Sequence, residues 1–182
     1  MQREVITGCL LGDGAMRCKT NALLEINHSI QQRSYVDWKF DHLAPLVRTP
    51  PRARAGNGSR VAYRFVTRSL PELTDFYRAF YDAGEKVVPE LELTPLTLAV
   101  WTMDDGCRSR SAVYMNTQQF AMASQARLMR MLREQWRIES NLNRDKTYWR
   151  IRVTTVGSAR LREIVEPFML PELMYKLPQV TP

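Results

Sequence analysis

Two short segments combine residues that could do chemistry. Gly8-Cys9-Leu10-Leu11-Gly12-Asp13-Gly14 and Leu98-Ala99-Val100-Trp101-Thr102-Met103-Asp104-Asp105-Gly106 are each an apolar stretch ending in Asp-Gly. A helix that is apolar on nearly every side must be buried. Gly8, Gly12 and Ala99 are small enough for two such helices to approach closely, and their ends would then set Asp13 beside Asp105. Facing carboxylates repel, so the pair is costly unless a proton or a cation neutralises it. A hard divalent cation with oxygen ligands, Mg²⁺ first, is the natural partner. One Asp-Gly after an apolar run is an ordinary turn. Two copies, each followed by an Arg-rich strand, form a far more specific pattern.

The elements that must position these residues occur twice. In the first half, residues 4–13 read as a helix and 15–28 as two strands about a turn near Thr20-Asn21. Gln31 to Leu46 reads as a helix stopped by Pro45, and residues 48–58, with Pro50-Pro51 and Gly56-Asn57-Gly58, as a loop. Arg60 to Arg68 is the clearest strand: Arg60, Ala62, Arg64, Val66 and Arg68 alternate with Val61, Tyr63, Phe65 and Thr67. Ser69 and Glu72 stand at capping-box spacing before a helix with the apolar stripe Leu73, Phe76, Tyr77 and Phe80. Thr94-Pro95 opens the second copy. There, residues 107–118 alternate with Arg108, Arg110, Ala112, Tyr114, Asn116 and Gln118 on one side, and Met122 to Trp136 has helical spacing. Two strands at about 138–144 and 147–155 follow, then a helix from near Ser158 to Pro167. Each half therefore reads helix, strands, helix, strands, helix, with hairpin-like turns that favour antiparallel pairing.

Composition narrows the partners. The 182 residues carry 26 Lys and Arg against 19 Asp and Glu, a net charge of +7, and 21 of the cations are Arg. Arg suits phosphate and guanine, so nucleic acid is the first candidate. Hydrophobic residues at 45% exclude a disordered chain, and the length suits one domain or two small halves sharing a core. No stretch approaches the ~18 apolar residues of a membrane span. Three cysteines without CxxC spacing, Cys9, Cys18 and Cys107, speak against a disulfide framework or a structural zinc site. The expected setting is intracellular, and the Arg bias favours a prokaryotic cytoplasm over an A+T-rich organelle. His28 and His42 lack a ligand cluster and are read as structural. The Met-rich helix over 121–132 is read as core with an exposed Arg face.

The chain resembles the monomeric, two-motif LAGLIDADG homing endonucleases of group I introns. Ile6 to Gly14 and Leu98 to Gly106 look like the two motifs, with Val100 where the first motif has Gly8. Asn27-His28-Ser29, Gln31, Tyr35, Trp38-Lys39, Lys86-Val87-Val88-Pro89, Asn116-Thr117-Gln118 and Met174 to Pro178 extend the likeness over nearly the whole chain. The resemblance implies an α/β (α+β) fold of pseudo-twofold duplicated αββαββα halves, 1–90 and 91–182, forming a DNA-binding saddle of antiparallel sheets. It makes Asp13 and Asp105 the metal-binding carboxylates, with the carbonyls of Gly12 and Asp104 as further ligands. Lys86 and Lys176 match basic residues that flank the metal sites, and Gln118 stands where relatives order a water.

Those parts suit phosphodiester hydrolysis. Metals shared by two carboxylates hold nucleophile and leaving oxygen in line, and a Lys at each site stabilises charge. One site per half gives a double-strand break in a long asymmetric DNA target, cut by a monomer with no membrane partner. On the strand faces, Arg17, Lys19, Asn21, Arg60, Arg64 and Arg68 in the first half and Arg108, Arg110, Asn116, Arg150 and Arg152 in the second are the candidate groove contacts. Arg52 and Arg54 are expected on phosphates. The alternatives are an RNA maturase that assists splicing of the host intron, or a cleavage-inactive DNA-binding regulator. A pure binder has no need of all four of Asp13, Asp105, Lys86 and Lys176.

Overall fold

The computed structural model describes residues 1–56 and 60–179. The first copy of the pattern runs α1 (Gln2–Leu11), β1 (Ala15–Cys18), β2 (Ala22–Ser29), α2 (Arg33–Leu43), β3 (Arg52–Ala55), β4 (Val61–Val66) and α3 (Pro71–Phe80). A short hairpin, β5 (Tyr81–Asp82) and β6 (Glu85–Lys86), leads to the second copy. That copy runs α4 (Pro95–Asp105), β7 (Gly106–Ser109), β8 (Ala112–Met115), α5 (Met122–Trp136), β9 (Ser140–Asp145), β10 (Tyr148–Val153) and α6 (Thr155–Val165). Both copies are αββαββα. Each folds into a four-stranded antiparallel sheet, ordered β1-β2-β4-β3 in one and β7-β8-β10-β9 in the other. The equivalent order and pairing in the two sheets is the duplication expected of the sequence. Among the described residues no helix is long and apolar enough to cross a membrane.

The core is continuous between the copies and is organised around α1 and α4. Leu98 to Asp105 are buried without a break, as are Gly8 to Leu11, so α4 and the C-terminal half of α1 lack a solvent face, while Arg3 at the start of α1 is exposed. They touch where their side chains are smallest. A Cβ on Gly8 would lie 2.5 Å from Val100 Cβ and 2.8 Å from the Thr97 carbonyl. Gly8 therefore provides the clearance that Val100 uses, and the second motif has no need of a glycine at that position. The Thr97 hydroxyl donates to the Glu4 carbonyl across the same seam (3.2 Å). Thr94 caps α4 through the Thr97 N–H and Pro95 occupies its first position, as the sequence indicates.

Several local expectations change. Residues 52–55 are a strand, not loop, because β3 takes the free edge of β4; Asn57 and Gly58 of the expected loop lie outside the described residues. No capping box forms at α3: Leu70 is the N-cap residue, and the Ser69 hydroxyl donates to the Asn21 carbonyl instead (2.7 Å). Residues 107–118 are not one alternating strand but the β7–β8 hairpin, turning at Arg110 with a left-handed φ of 55°. Helix α6 starts at Thr155, capped by the Thr154 side chain, rather than at Ser158. The β5–β6 hairpin was not anticipated. Its two turn residues, Ala83 and Gly84, have φ of 48° and 84°, the backbone that a tight hairpin of this twist requires.

Candidate active site and nucleic-acid face

The ends of α1 and α4 meet at the boundary of the two copies, and the two aspartates there differ in setting. The Asp13 side chain is 50% exposed, whereas Asp105 as a residue is only 7% exposed. Burial raises the Asp13 pKa, and the Asp104 carboxylate beside it adds to the shift. Asp105 is pushed up to about 8 by burial, then by Asp104 and Asp13. Its Oδ2 is buried and has no hydrogen-bond partner among the described residues. An orphaned carboxylate oxygen held among other carboxylates calls for a cation, so Asp13 and Asp105 fit a divalent metal.

Each motif end is flanked by one lysine. Lys86, placed by the β5–β6 hairpin, donates to the Gly12 carbonyl (2.8 Å), the Gly14 carbonyl (2.9 Å) and Gln119 Oε1 (3.2 Å). Lys176, at the end of a 3₁₀ turn (Pro171–Lys176), donates to the Asp104 carbonyl (2.8 Å) and to that of Met103. Burial pushes Lys86 down to about 8 against the pull of Asp105, Asp104 and Asp13; Lys176 is also lowered, again by burial first. Gly12 and Asp104, expected as carbonyl ligands, are thus the carbonyls that hold these two ammonium groups. The Gly12 carbonyl also accepts from Gln119 Nε2 (3.2 Å), which uses both its lone pairs.

Sequence reasoning placed Gln118 at this centre. The Gln118 amide instead donates to Asp145 on β9 (3.1 Å), and the next residue, Gln119, reaches the Gly12 carbonyl. The strand has ended at Met115, so the alternation that would fix which glutamine faces the helices no longer applies.

Two further residues belong to the centre. His28 Nδ1 lies 3.6 Å from Asp13, and Asp13, His28 and Asp104 place ligand atoms within 4.8 Å of one another. The space among them is already taken by Lys39, whose ammonium sits 2.6 Å from Asp104 Oδ1 and 3.0 Å from His28 Nε2. His28 is pushed down to about 4, by burial and then by Lys39, and is neutral. The sequence reading that His28 lacks a cluster of ligand-bearing neighbours is corrected here, because the fold sets it between Asp13 and Asp104. Burial works against the charge on Lys39 and against that on Asp104. Their mutual attraction and hydrogen bond, with help from Cys9 and Asp13 for Lys39 and from His28 and Tyr35 for Asp104, together outweigh it, so Lys39 is raised and Asp104 lowered. Asp104 also accepts from the Tyr35 hydroxyl (2.7 Å), and its Oδ2 from the Asp13 N–H (3.2 Å). The spacing Tyr35-x₃-Lys39 on one helix face was the available signal for this network.

The sheet register sorts the candidate groove residues, since directly paired residues share a face. Asn27 pairs with Arg64, and Arg64 with Arg52; Ala62 pairs with Arg54; Glu25 pairs with Ala15 and Val66. Arg17, Arg52, Arg54 and Arg64 therefore rise from one face, opposite the buried Met16, Leu24, Tyr63 and Phe65. Glu25 holds Arg17 (2.8 Å) and Arg64 (3.3 Å) upright between them. Lys19 and Asn21 lie in the β1–β2 connection, and exposed Arg60 and Arg68 flank β4; Arg68 donates to the Pro45 carbonyl (2.7 Å). In the second sheet Arg150 and Arg152 share a face with Asn143, Asn141 and Tyr114. Arg150 lies over the Tyr114 ring (4.4 Å) and donates to Asn116 Oδ1 (3.2 Å). Arg108 does not join them. It pairs with buried Val113 and emerges on the opposite, helix-bearing face, because Cys107 is the residue opposite Tyr114. Arg110 is at the hairpin tip.

The model of the LAGLIDADG DNA endonuclease family matches residues 3–161. Protein RecA of Mycolicibacterium chitae is 31% identical over 200 residues, covering 97% of this chain and 46% of that protein. The chain thus spans about half the length of such relatives. DNA endonuclease I-ChuI of Chlamydomonas applanata is 26% identical over 208 residues, covering 97% of this chain and 94% of the relative. Among solved structures, the homing endonuclease I-WcaI bound to its DNA recognition sequence superposes with a TM-score of 0.89, covering 98% of this chain and 87% of that one at 21% identity.

Proposed function

The chain belongs to the LAGLIDADG DNA endonuclease family, and on that footing we propose that it is a site-specific endonuclease that hydrolyses one phosphodiester in each strand of a long asymmetric DNA target. The halves 1–90 and 91–182 each supply one motif end and one sheet. The observation that carries the reading is the buried, partnerless Oδ2 of Asp105 at a motif end whose Asp104 approaches Asp13, with one lysine on each side. A pure DNA binder gains nothing from burying that carboxyl group without a partner.

Asp13 and Asp105 would hold the divalent metal, Mg²⁺ in our reading, with the Asp104 carbonyl as a further ligand. The Gly12 carbonyl would join only where Lys86 or Gln119 releases it. A bound divalent ion supplies an activated water and stabilises the leaving 3′ oxygen. The chain's own groups do the rest. Lys86 and Lys176 set positive charge beside each motif end, where negative charge builds on the phosphate. Gln119, tied to both Lys86 and Gly12, fixes the first of these lysines. The sheets hold the duplex through Arg17, Arg52, Arg54, Arg64, Arg150 and Arg152, so that the scissile bonds lie over the motif ends.

The test is cleavage of a plasmid carrying the intronless host junction, with Mg²⁺, with EDTA, and with Asp13→Asn or Asp105→Asn. We expect one double-strand cut that requires the metal and is lost in both variants, with DNA affinity within about threefold of the parent. Tight, specific binding without a cut under any divalent metal would refute the endonuclease reading in favour of a DNA-binding regulator.

A further inference from the structure

We propose that Lys39 is a positioning residue of the Asp13 side of the catalytic centre, acting through the Asp104 side chain, and that cutting of one DNA strand depends on it far more than cutting of the other. The inference rests on the endonuclease reading above. Lys39 lies on α2, outside both motif helices, and is wholly buried. Its ammonium contacts Asp104 Oδ1 (2.6 Å) and His28 Nε2 (3.0 Å) and lies 4.2 Å from the centre of the Tyr35 ring. The single Tyr35 O–H donates to the same Oδ1 (2.7 Å), with the Val100 carbonyl as a longer second acceptor (3.2 Å). The remaining oxygen, Oδ2, takes the Asp13 N–H. A continuous set of contacts therefore runs from α2 through the α4 carboxylate to the backbone of Asp13.

Among the described residues the second copy has no such path. The motif position of Asp104 is held in the first motif by Gly12, which has no side chain to send toward Asp105. A Cβ on Gly12 would collide with the Asp104 carboxylate, so the glycine makes the room that Asp104 fills. Lys39 is the seventh residue of α2, and the seventh residue of α5 is Leu128, which is apolar and fully buried. His28 follows Asn27 as Thr117 follows Asn116, yet the Thr117 hydroxyl is spent on Gln125 (2.9 Å) and the Ile151 N–H (3.1 Å). One motif end is braced by a buried ion pair from its flanking helix, and the other is not.

Without Lys39 the Asp104 carboxylate would be buried and uncompensated. It would have to take a proton or swing away, and either change loosens its hold on Asp13. Misplacing a reacting group by about 1 Å costs on the order of 100-fold in rate.

The experiment follows both strands of one duplex target, labelled separately, in Mg²⁺. The Lys39→Met, Asp104→Leu double variant removes both buried charges together, which protects the fold. DNA affinity in EDTA and the thermal midpoint serve as controls. We expect one strand to slow at least about tenfold more than the other, and supercoiled plasmid to accumulate as nicked circles. Tyr35→Phe, which keeps the ion pair and removes one donor to Asp104, should bias the same strand by roughly two- to threefold and remains usable if the double variant does not fold. Equal slowing of both strands in the variants, or no slowing, overturns the proposal, because a role in stability alone moves both strands together. A parent protein that cuts neither strand of a duplex it binds would instead mean that the endonuclease reading has failed, and the proposal falls with it.

Discussion

Asp13 and Asp105 are the same residue type at the same position of two motifs, and burial raises the pKa of both. Asp105 has a folded pKa of about 8 against an ordinary 3.8, through burial and the neighbouring carboxylates. In metal-free protein the folded state therefore keeps a proton that the unfolded state gives up. The resulting stability is complete below pH 4 and is lost as pH rises toward 8. In EDTA the thermal midpoint should fall between pH 5 and pH 8. Asp105→Asn should flatten that fall and raise the midpoint at pH 8, by about 2–4 °C for each kcal/mol recovered. An unchanged slope in the variant would remove Asp105 as its source. Lys86 bears on chemistry rather than folding. Lys86→Met should lower the cleavage rate at least about tenfold and leave binding of the uncut target nearly unchanged, as single-turnover rates and binding titrations in Ca²⁺ would show.

Among the elements, the contact of α1 with α4 decides whether the two motif ends meet at all. Its tightest point is Gly8 against Val100, where an added Cβ has no room. Gly8→Ala should destabilise the protein by about 1–3 kcal/mol, the usual cost of overpacking a filled core. Val100→Gly removes the Cβ that the new methyl would meet, so the double variant should recover part of the loss. Denaturant titrations of the four proteins give the coupling directly, and strictly additive losses would contradict the contact. The β5–β6 hairpin matters for a different reason. Its tight turn at Ala83-Gly84 sets where Lys86 meets the Gly12 carbonyl.

Over the whole molecule, the two sheets carry unequal chemistry on the faces proposed to meet the duplex. The first holds Arg17, Arg52, Arg54 and Arg64, and Arg52 stands directly opposite Arg64 in the sheet. Like charges directly opposite each other destabilise a sheet by a few tenths of a kcal/mol until an anion lies between them. Arg52→Ala should therefore raise the thermal midpoint of free protein slightly while weakening DNA binding. It should also reduce the slope of log affinity against log salt by about 1. A variant that loses stability and keeps its affinity would show that this face does not meet phosphate. The second sheet mixes Arg150 and Arg152 with Asn116, Asn141 and Asn143, so in the proposed complex its contacts would depend less on salt.

Most of the fold was legible in the chain, because patterning and punctuation are local. Unbroken apolar runs mark α1 and α4, Thr94-Pro95 marks a helix start, and alternation marks β4 and β10. The repeated Asp-Gly ends mark the two motif ends that the fold brings together, where the Asp13 N–H meets Asp104. Strand β3 was hidden, since Arg-Ala-Arg-Ala has no apolar face of its own and is a strand only because β4 offers an edge. The choice of Gln119 over Gln118, and the exit of Arg108 on the helix-bearing face, follow from register and from where a strand stops. Composition does not encode either of these. The Lys39–Asp104 pair joins residues 65 apart in sequence. Burying two charges is tolerable only when they meet at hydrogen-bond distance, and the packing of α2 against the motif helices alone brings them that close.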